Sequence, residues 1–271
     1  MNRIKLISYF STPLALFLAV APVSVMAQAE FDETKVLIEI NASDGDIGFH
    51  AKYDADAWWK VFMFAPNGKK ILKEMASGPL REQGVTENFF ESAEPLCAEG
   101  DDPDELVVTL AEFLDRFPDG DYLLYGENNE GEELIGSAEL TYNLPAAPDI
   151  SAMLDEDDEP VEFGAGDPVV IEWAEGDDLG ECDFGDLIPD PGSVEEVAWE
   201  AVVEPECEGV EIEFERKFTA QLPPGETSVT VSPEFMAGYT SIGCFEFKFE
   251  VGAIEESGNQ TFSEGEFTVE E

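Results

Sequence analysis

Histidine is nearly absent from this chain of 271 residues, in which His50 is the only one. Zinc sites that need two histidines on one helix are therefore excluded, as are sites rich in histidine. A serine or cysteine nucleophile with a histidine base would have to use His50. Because His50 alternates with Phe49 and Ala51, we expect an exposed histidine on the polar face of a strand. The sequence also contains no Gly-x-Ser-x-Gly elbow, phosphate-binding loop or dinucleotide-binding fingerprint.

Basic residues are scarce as well, with 13 Lys and Arg against 62 Asp and Glu and a formal net charge of −49. A field of this sign repels nucleic acids and anionic lipids, so neither is expected as a partner. Divalent cations and basic partners would be attracted. The charge also favours solubility, and salt screens the self-repulsion, as in proteins of salt-tolerant sources. Hydrophobic residues make up 44% of the chain, enough to form cores, which argues against disorder.

Long apolar segments are missing beyond the first 29 residues. Within residues 1–29, Arg3 and Lys5 supply a positive end, residues 14–20 form a short apolar centre, and Ala27-Gln-Ala29 resembles a cleavage site. We expect a signal peptide that is cleaved near Ala29, before Glu30. The mature chain is then secreted or periplasmic, without membrane insertion.

The chain from residue 30 to residue 144 is predicted to be a first β-domain. Alternating or apolar runs predict strands over residues 35–40, 47–53, 59–64 and 70–75, and Pro66-Asn67-Gly68 predicts a hairpin turn between the last two. Apolar residues at helical spacing predict a short helix over residues 109–117, with Thr109 as its cap. A hairpin over residues 119–142 closes this part.

Residues 145–148 contain two prolines and are predicted to be a stiff linker to a second β-domain, residues 149–271. Strands are predicted over residues 168–173, 196–203, 210–218 and 227–231, with the third pairing with the second. The chain closes with a hairpin around Ser257-Gly-Asn-Gln260, which repeats the earlier closing hairpin. The fold class expected is all-β, as two tandem immunoglobulin-like sandwiches with a short helix in the first.

The second half, roughly residues 148–271, resembles a fibronectin type III domain. Trp173 and Trp199 stand where that family has aromatic residues on its second and third strands, and residues 222–231 resemble its fifth-strand region. The sequence Phe247-Lys-Phe-Glu-Val-Gly-Ala253 resembles its sixth strand, with Phe247 in place of the usual tyrosine. Residues 174–193 form a long insertion. The first half resembles the superfamily more weakly, and secreted bacterial proteins of this type are similar. The resemblance implies binding, spacing or adhesion.

Four cysteines in an exported protein predict two disulfides, and the sequence alone allows three pairings. In a sandwich of this topology, Cys207 after the third strand and Cys244 before the sixth lie at one pole. Cys182, in the long insertion, lies at the opposite pole, which faces the first domain and Cys97. We therefore expect Cys207–Cys244 and an interdomain Cys97–Cys182.

We expect a non-enzymatic binding or spacer protein without a cofactor, which acts on an unknown protein or surface partner. One alternative is a calcium-stabilised adhesion or matrix component, since calcium favours clustered carboxylates. The carboxylates considered for calcium are Asp101, Asp102, Asp104, Asp177, Asp178, Asp183 and Asp186. Another alternative is a carboxylate-dependent glycan hydrolase, although 62 acids make any pair uninformative. Exposed aromatic pairs on one sheet face would indicate carbohydrate, and Trp58 is expected to point outward rather than Trp59.

Overall fold

The computed structural model describes residues 28–98, 107–155, 157, 159–207, 209–210 and 216–270, which form a mostly β protein. The predicted signal peptide lies outside these residues except for Gln28 and Ala29. The first half contains β1 Gln28–Glu30, β2 Glu33–Asn41, β3 Asp46–Phe64, β4 Lys70–Met75, α1 Gly78–Gln83, β5 Val85–Glu91, α2 Leu110–Arg116, β6 Gly120–Asn128 and β7 Glu133–Leu140. The second half contains β8 Glu162–Phe163, β9 Val169–Glu172, β10 Glu196–Pro205, β11 Phe218–Leu222, β12 Ser228–Val231, α3 Pro233–Thr240, β13 Glu246–Glu255 and β14 Gln260–Val269.

One mixed sheet runs through both halves in the order β1-β7-β6-β3-β2-β14-β13-β10-β11. β4 and β5 also pair with β3, β8 pairs with β14, and β9 and β12 form a separate two-stranded sheet. The two halves meet where β14 runs parallel to β2, with Gln260 opposite Glu39. Residues 145–148, predicted as a linker, are mostly buried beside this junction.

β3 is the longest strand and replaces the two separate strands predicted over residues 47–53 and 59–64. Its first part pairs with β2 and β5, and its second part pairs with β4 and β6. The pairing is irregular between Asp54 and Trp58 and again between Trp58 and Lys60. Such β-bulges bend and twist a strand, so one continuous strand serves two sets of partners.

The bulges also decide which tryptophan is buried. Trp58 is 0% exposed and donates from Nε1 to the Thr86 carbonyl at 3.3 Å, whereas Trp59 is only partly buried. The prediction that Trp58 points outward is therefore wrong. Alternation along β3 changes phase at the bulges, and a strict period of two cannot be extended across them.

Hydrophobic side chains form two clusters, one in each half. The first is built on the inward residues of β2, β3, β6 and β7 and includes Trp58 and Phe113 of α2. The second contains Trp173 and Trp199, whose rings are 6.0 Å apart, and the stacked pair Phe247 and Phe267.

Several local predictions agree with the structure. α2 occupies the predicted helix, and the Thr109 hydroxyl accepts a hydrogen bond from the Glu112 amide at its N-terminus. The turn at Pro66-Asn67-Gly68 joins β3 to β4, with Gly68 at a φ of 79°. Both closing hairpins are present, as β6–β7 and β13–β14. The predicted strand over residues 210–218 lies largely outside the described residues, and β10 pairs with β11 on one side and β13 on the other.

The segment between β9 and β10 belongs structurally to the first half. Leu179, Cys182 and Phe184 are buried in the first hydrophobic cluster. The structure joins Cys182 to Cys97, with Cα atoms 5.1 Å apart, and Cys207 to Cys244, with Cα atoms 5.4 Å apart. The segment between β9 and β10 therefore packs in the core of the first half, although the strands on either side of it belong to the second half. No helix among the described residues is long and apolar enough to cross a membrane.

Candidate functional site

The outer face of β3 and β6 carries a groove lined by aromatic and aliphatic side chains. Val61 and Met63 of β3 point into the core, so alternation leaves Phe62 and Phe64 on the opposite face. In β6, Tyr122 and Leu124 are buried, and the residues between and after them face outward. The groove residues are Lys60, Phe62, Phe64, Ala65, Pro66, Gly68, Asp121, Leu123, Tyr125, Gly126, Glu127, Gly131 and Glu133.

Strand register brings the apolar residues of this groove into cross-strand pairs. Phe62 lies opposite Tyr125, and Phe64 lies opposite Leu123. The rings of Phe64 and Tyr125 meet edge to face, with centroids 5.8 Å apart. Leu123 is 41% exposed and Tyr125 is 39% exposed. The face therefore offers a row of apolar side chains to solvent, which is uncommon on a surface this acidic.

Basic residues concentrate around the same face. Of the 13 Lys and Arg residues, five lie between positions 60 and 81, namely Lys60, Lys69, Lys70, Lys73 and Arg81. Lys70 Nζ lies 4.4 Å from the ring centre of Phe62, and Arg81 Cζ lies 3.7 Å from that of Trp59. Cations placed over aromatic faces hold both groups in fixed positions.

Carboxylates complete the polar rim of the groove. Lys60 Nζ donates to Glu127 Oε2 at 2.8 Å, and this contact holds the pKa of Glu127 below its ordinary value. Asp121 and Glu133 lie along the same rim. Lys60 is bound to Glu127, and Lys70 lies over the ring of Phe62. The rim therefore presents both positively and negatively charged side chains to a ligand, rather than a patch of unpaired cations.

His50 lies at a second candidate site and is not where the sequence predicted. It is 1% exposed, and the expectation of an exposed strand histidine is wrong. Residues after β5 continue alongside β3, with the Ser92 amide donating to the Phe49 carbonyl at 3.0 Å. They place Glu94 over the imidazole, and Phe89 covers it edge to face at 5.7 Å. A distant segment thus buries the polar face of β3 at this point.

The two imidazole nitrogens of His50 each face a carboxylate. Nδ1 lies 3.7 Å from Glu39 Oε2, and Nε2 lies 3.6 Å from Glu94 Oε1. Neither nitrogen has a hydrogen-bond partner in the described part of the chain. Burial raises the pKa of Glu39 to about 7, and burial together with the charges of Glu91 and Asp46 raises that of Glu94 to about 7. Burial lowers the pKa of His50.

The described carboxylates predicted to bind calcium line one pocket, but no three of them bring oxygen atoms within 4.8 Å of one another; they are Asp177, Asp178, Asp183 and Asp186. Asp178 Oδ1 accepts the Gly180 amide at 2.9 Å, and Asp183 Oδ1 accepts the Gly185 amide at 2.8 Å, so both serve local turns. Among the described residues, only Glu39, His50 and Glu94 bring potential metal-ligand atoms within 4.8 Å of one another. The other predicted group, Asp101, Asp102 and Asp104, lies outside the described residues.

Neither candidate site was identified from the sequence. Phe62 and Phe64 were recognised as strand residues, but their outward direction depends on the bulges around Trp58. Glu39 and Glu94 are 55 positions apart and stand out from none of the other acids. The single histidine was the available signal for the second site.

Comparisons with known proteins do not assign the chain to a family. No family model matches it, and no curated protein matches it. It is similar to a chain of a 1.5-MDa bacterial ice-binding adhesin at 14% identity, over 90% of this chain and 65% of that one, with a TM-score of 0.25. A tetra-tandem repeat from the extending region of a large adhesion protein gives 8% identity over 87% and 50% of the two chains, with a TM-score of 0.21. Escherichia coli alpha-2-macroglobulin gives 10% identity over 88% and 20%, with a TM-score of 0.29. TM-scores this low carry no argument about fold or function.

Proposed function

We propose that this chain is an exported, non-catalytic binding protein that holds an uncharged glycan in the groove on β3 and β6. The observation that carries this proposal is the row of apolar side chains Phe62, Phe64, Leu123 and Tyr125 on one exposed sheet face, bordered by charged groups of both signs. A sugar ring has an apolar C–H face and a rim of hydroxyls. The groove complements both, since aromatic faces pack on the ring and charged side chains bind hydroxyls.

Charge supports an uncharged rather than an acidic glycan. The chain has a net charge of −49, and a polyanion would meet repulsion at low salt. Within the groove, Lys60 is bound to Glu127 and Lys70 lies over Phe62. Neither lysine is left to hold an anionic sugar without giving up a present contact.

The electrostatics of the groove support binding rather than hydrolysis. A glycosidase needs a carboxylic acid whose pKa is raised, so that it can protonate the leaving group. Lys60 instead keeps the pKa of Glu127 below its ordinary value, which is opposite to the shift that such an acid requires.

The proposed architecture is two immunoglobulin-like units, residues 30–144 and 149–271, the second similar to a fibronectin type III domain. Separate hydrophobic clusters in the two halves support this division. In the first half, the Tyr122 hydroxyl donates to the Pro118 carbonyl at 3.0 Å, a tether typical of immunoglobulin-like domains. Two disulfides support export, and we propose that residues before the first strand are a cleaved signal peptide.

The direct experiment is affinity electrophoresis and calorimetry with soluble starch, a β-glucan and a galactomannan as uncharged polymers, and alginate as the acidic comparison. We expect at least one uncharged polymer to bind, and alginate to bind more weakly. Phe62→Ala and Tyr125→Ala should each weaken binding about tenfold, which corresponds to ~1.4 kcal/mol. Phe89→Ala is the matched control, because Phe89 is 55% exposed and lies outside the groove.

Retention of full affinity in Phe62→Ala and Tyr125→Ala would move the ligand site away from this groove. Binding of none of the polymers would overturn a glycan as the ligand. Thermal melts of each variant, compared with the wild-type melt, separate lost binding from lost folding.

A further inference from the structure

We propose that His50 and Glu94 bind one transition-metal dication on the polar face of β3, with Glu39 as the carboxylate that orients the imidazole. This site is separate from the groove and does not depend on the proposed glycan. It joins the neighbouring strands β2 and β3 to the chain after β5, which follows more than 40 residues after His50.

The buried imidazole is the first argument for an occupant. His50 is 1% exposed, and neither ring nitrogen has a hydrogen-bond partner among the described residues. A buried polar group without a partner lowers stability, so such groups are rare unless a ligand satisfies them. Each nitrogen lies near a carboxylate oxygen, at distances of 3.6 and 3.7 Å that are too long for hydrogen bonds.

The separation between Nε2 and Glu94 Oε1 suits a shared metal ion. Zinc binds imidazole nitrogen and carboxylate oxygen at about 2.0–2.2 Å in tetrahedral sites, which places two ligand atoms roughly 3.4 Å apart. The observed distance is 3.6 Å. An ion between these two atoms therefore needs only a small movement of Glu94. The Glu94 side chain is 31% exposed, which gives the ion a path from solvent.

Gly48 keeps the space beside these atoms open. It lies two residues before His50 on the same face of β3. A Cβ atom added there would stand 2.9 Å from His50 Nε2 and 3.0 Å from Glu94 Oε1. No positive φ is required at this position, so the absence of a side chain is a matter of space rather than of backbone conformation.

Glu39 fits the role of the supporting carboxylate. Histidines that bind metals usually donate their other ring N–H to a carboxylate or carbonyl, which sets the tautomer and orients the ring. Glu39 Oε2 lies 3.7 Å from Nδ1, and the ligand atoms of Glu39, His50 and Glu94 all lie within 4.8 Å of one another. Glu91 lies opposite His50 across the β3–β5 pair and adds negative charge near Glu94, which favours a cation.

The ligand atoms favour a first-row transition metal over calcium. Imidazole suits zinc and its neighbours, whereas calcium takes six to eight oxygen ligands. Zn²⁺ is therefore the probe of choice, and Ca²⁺ at equal ionic strength reports on unspecific attraction to an acidic protein.

Because the chain has one histidine, its imidazole signals in a proton NMR spectrum come from His50 alone. The protein is purified without a histidine tag, treated with EDTA and titrated with Zn²⁺, with calorimetry in parallel. We expect the imidazole signals to shift and saturate at one Zn²⁺ per chain, with no comparable shift from Ca²⁺. Glu94→Gln and Gly48→Ala should each weaken Zn²⁺ binding at least about tenfold. Gly48→Ala removes no ligand atom and tests the space itself.

Asp183→Asn is the matched control, because it removes one carboxylate from an acidic segment outside this cluster. It should bind Zn²⁺ as the wild type does. Imidazole signals that do not respond to excess Zn²⁺ would overturn the proposal. So would unchanged affinity in both Glu94→Gln and Gly48→Ala, since Zn²⁺ would then bind elsewhere on the acidic surface.

Discussion

At the scale of single residues, Trp58 and Trp59 are neighbours with opposite surroundings. Trp58 is enclosed in the first hydrophobic cluster, and Trp59 lies on the outer face beneath Arg81. We predict that Trp58→Ala lowers the free energy of unfolding by about 3–5 kcal/mol, because it leaves a large cavity. Trp59→Ala should lower the free energy of unfolding by no more than about 1 kcal/mol, which is the strength of an exposed cation–π contact. Urea unfolding of the two variants measures both changes in stability. Equal losses of stability would contradict the assignment of Trp58 to the core and Trp59 to the surface.

Asn259 is the residue that ties the closing hairpin to the first half. It is 0% exposed, its Oδ1 accepts from the Ile38 amide at 2.9 Å, and its Nδ2 donates to the carbonyls of Thr141 and Asn143 at 3.1 Å. We predict that Asn259→Ala destabilises the protein by about 3 kcal/mol, because buried backbone groups lose their partners.

Asn259→Asp is the sharper variant, since it keeps the shape and the acceptor but replaces the donor. It should be at least as destabilising as Asn259→Ala. The control is Asn129→Ala, at an exposed position. A change in urea midpoint for Asn259→Ala no larger than that of Asn129→Ala would show that the contacts at the junction contribute little.

The burial and direction of individual side chains were harder to predict from the sequence than the strands and helices. Alternation along residues 47–53 predicts the buried positions 47, 49, 51 and 53, but not the burial of Gly48 and His50 on the other face. The direction of Trp58 depends on two bulges that no local pattern announces. The burial of His50 depends on Glu94 and Phe89, which arrive from a later segment. Contacts of this kind are set by tertiary structure rather than by local preference.

At the scale of elements, β1 has a consequence for export. Gln28, Ala29 and Glu30 pair in parallel with Glu133, Leu134 and Ile135 of β7. Cleavage before Glu30, as predicted from the sequence, would remove two of these three residues. Val25 and Ala27 provide an alternative site with small residues at the required spacing.

We therefore predict that the exported protein begins at Gln28, which keeps the whole of β1. Intact mass and N-terminal sequencing of material recovered from the periplasm or the medium check this. A mature chain that begins at Glu30 would contradict it, and would show that β1 pairing is not needed in the mature fold.

The positions of strands and helices were predicted better than the pairing of the strands with one another. The strands of the closing hairpins, the turn at Gly68 and the helix capped by Thr109 all follow from local patterns. α1, α3 and β5 were missed, because α1 has only six residues, α3 contains Pro233 and Gly238, and β5 combines acidic residues with aromatic ones. The pairing of residues 260–262 with residues 39–41 carries no local signal, since it joins positions more than 200 residues apart.

At the scale of the whole molecule, an acidic surface surrounds one face that differs from it. The net charge of −49 is spread over both halves, while Lys60, Lys70 and Lys73 lie beside the aromatic residues of the groove. The groove is a region where apolar side chains are exposed together on this acidic protein. An uncharged glycan suits such a groove, because it carries no charge that the acidic surface around the groove would repel.

Hydroxyl-radical footprinting of the protein bound to its uncharged polymer tests this account most directly, because it reports which side chains the ligand covers. Phe62, Phe64, Leu123 and Tyr125 should lose reactivity in the presence of the polymer, while Phe89 and Ile242, which are exposed outside the groove, should not change. Protection of residues elsewhere, with the groove still reactive, would contradict the account.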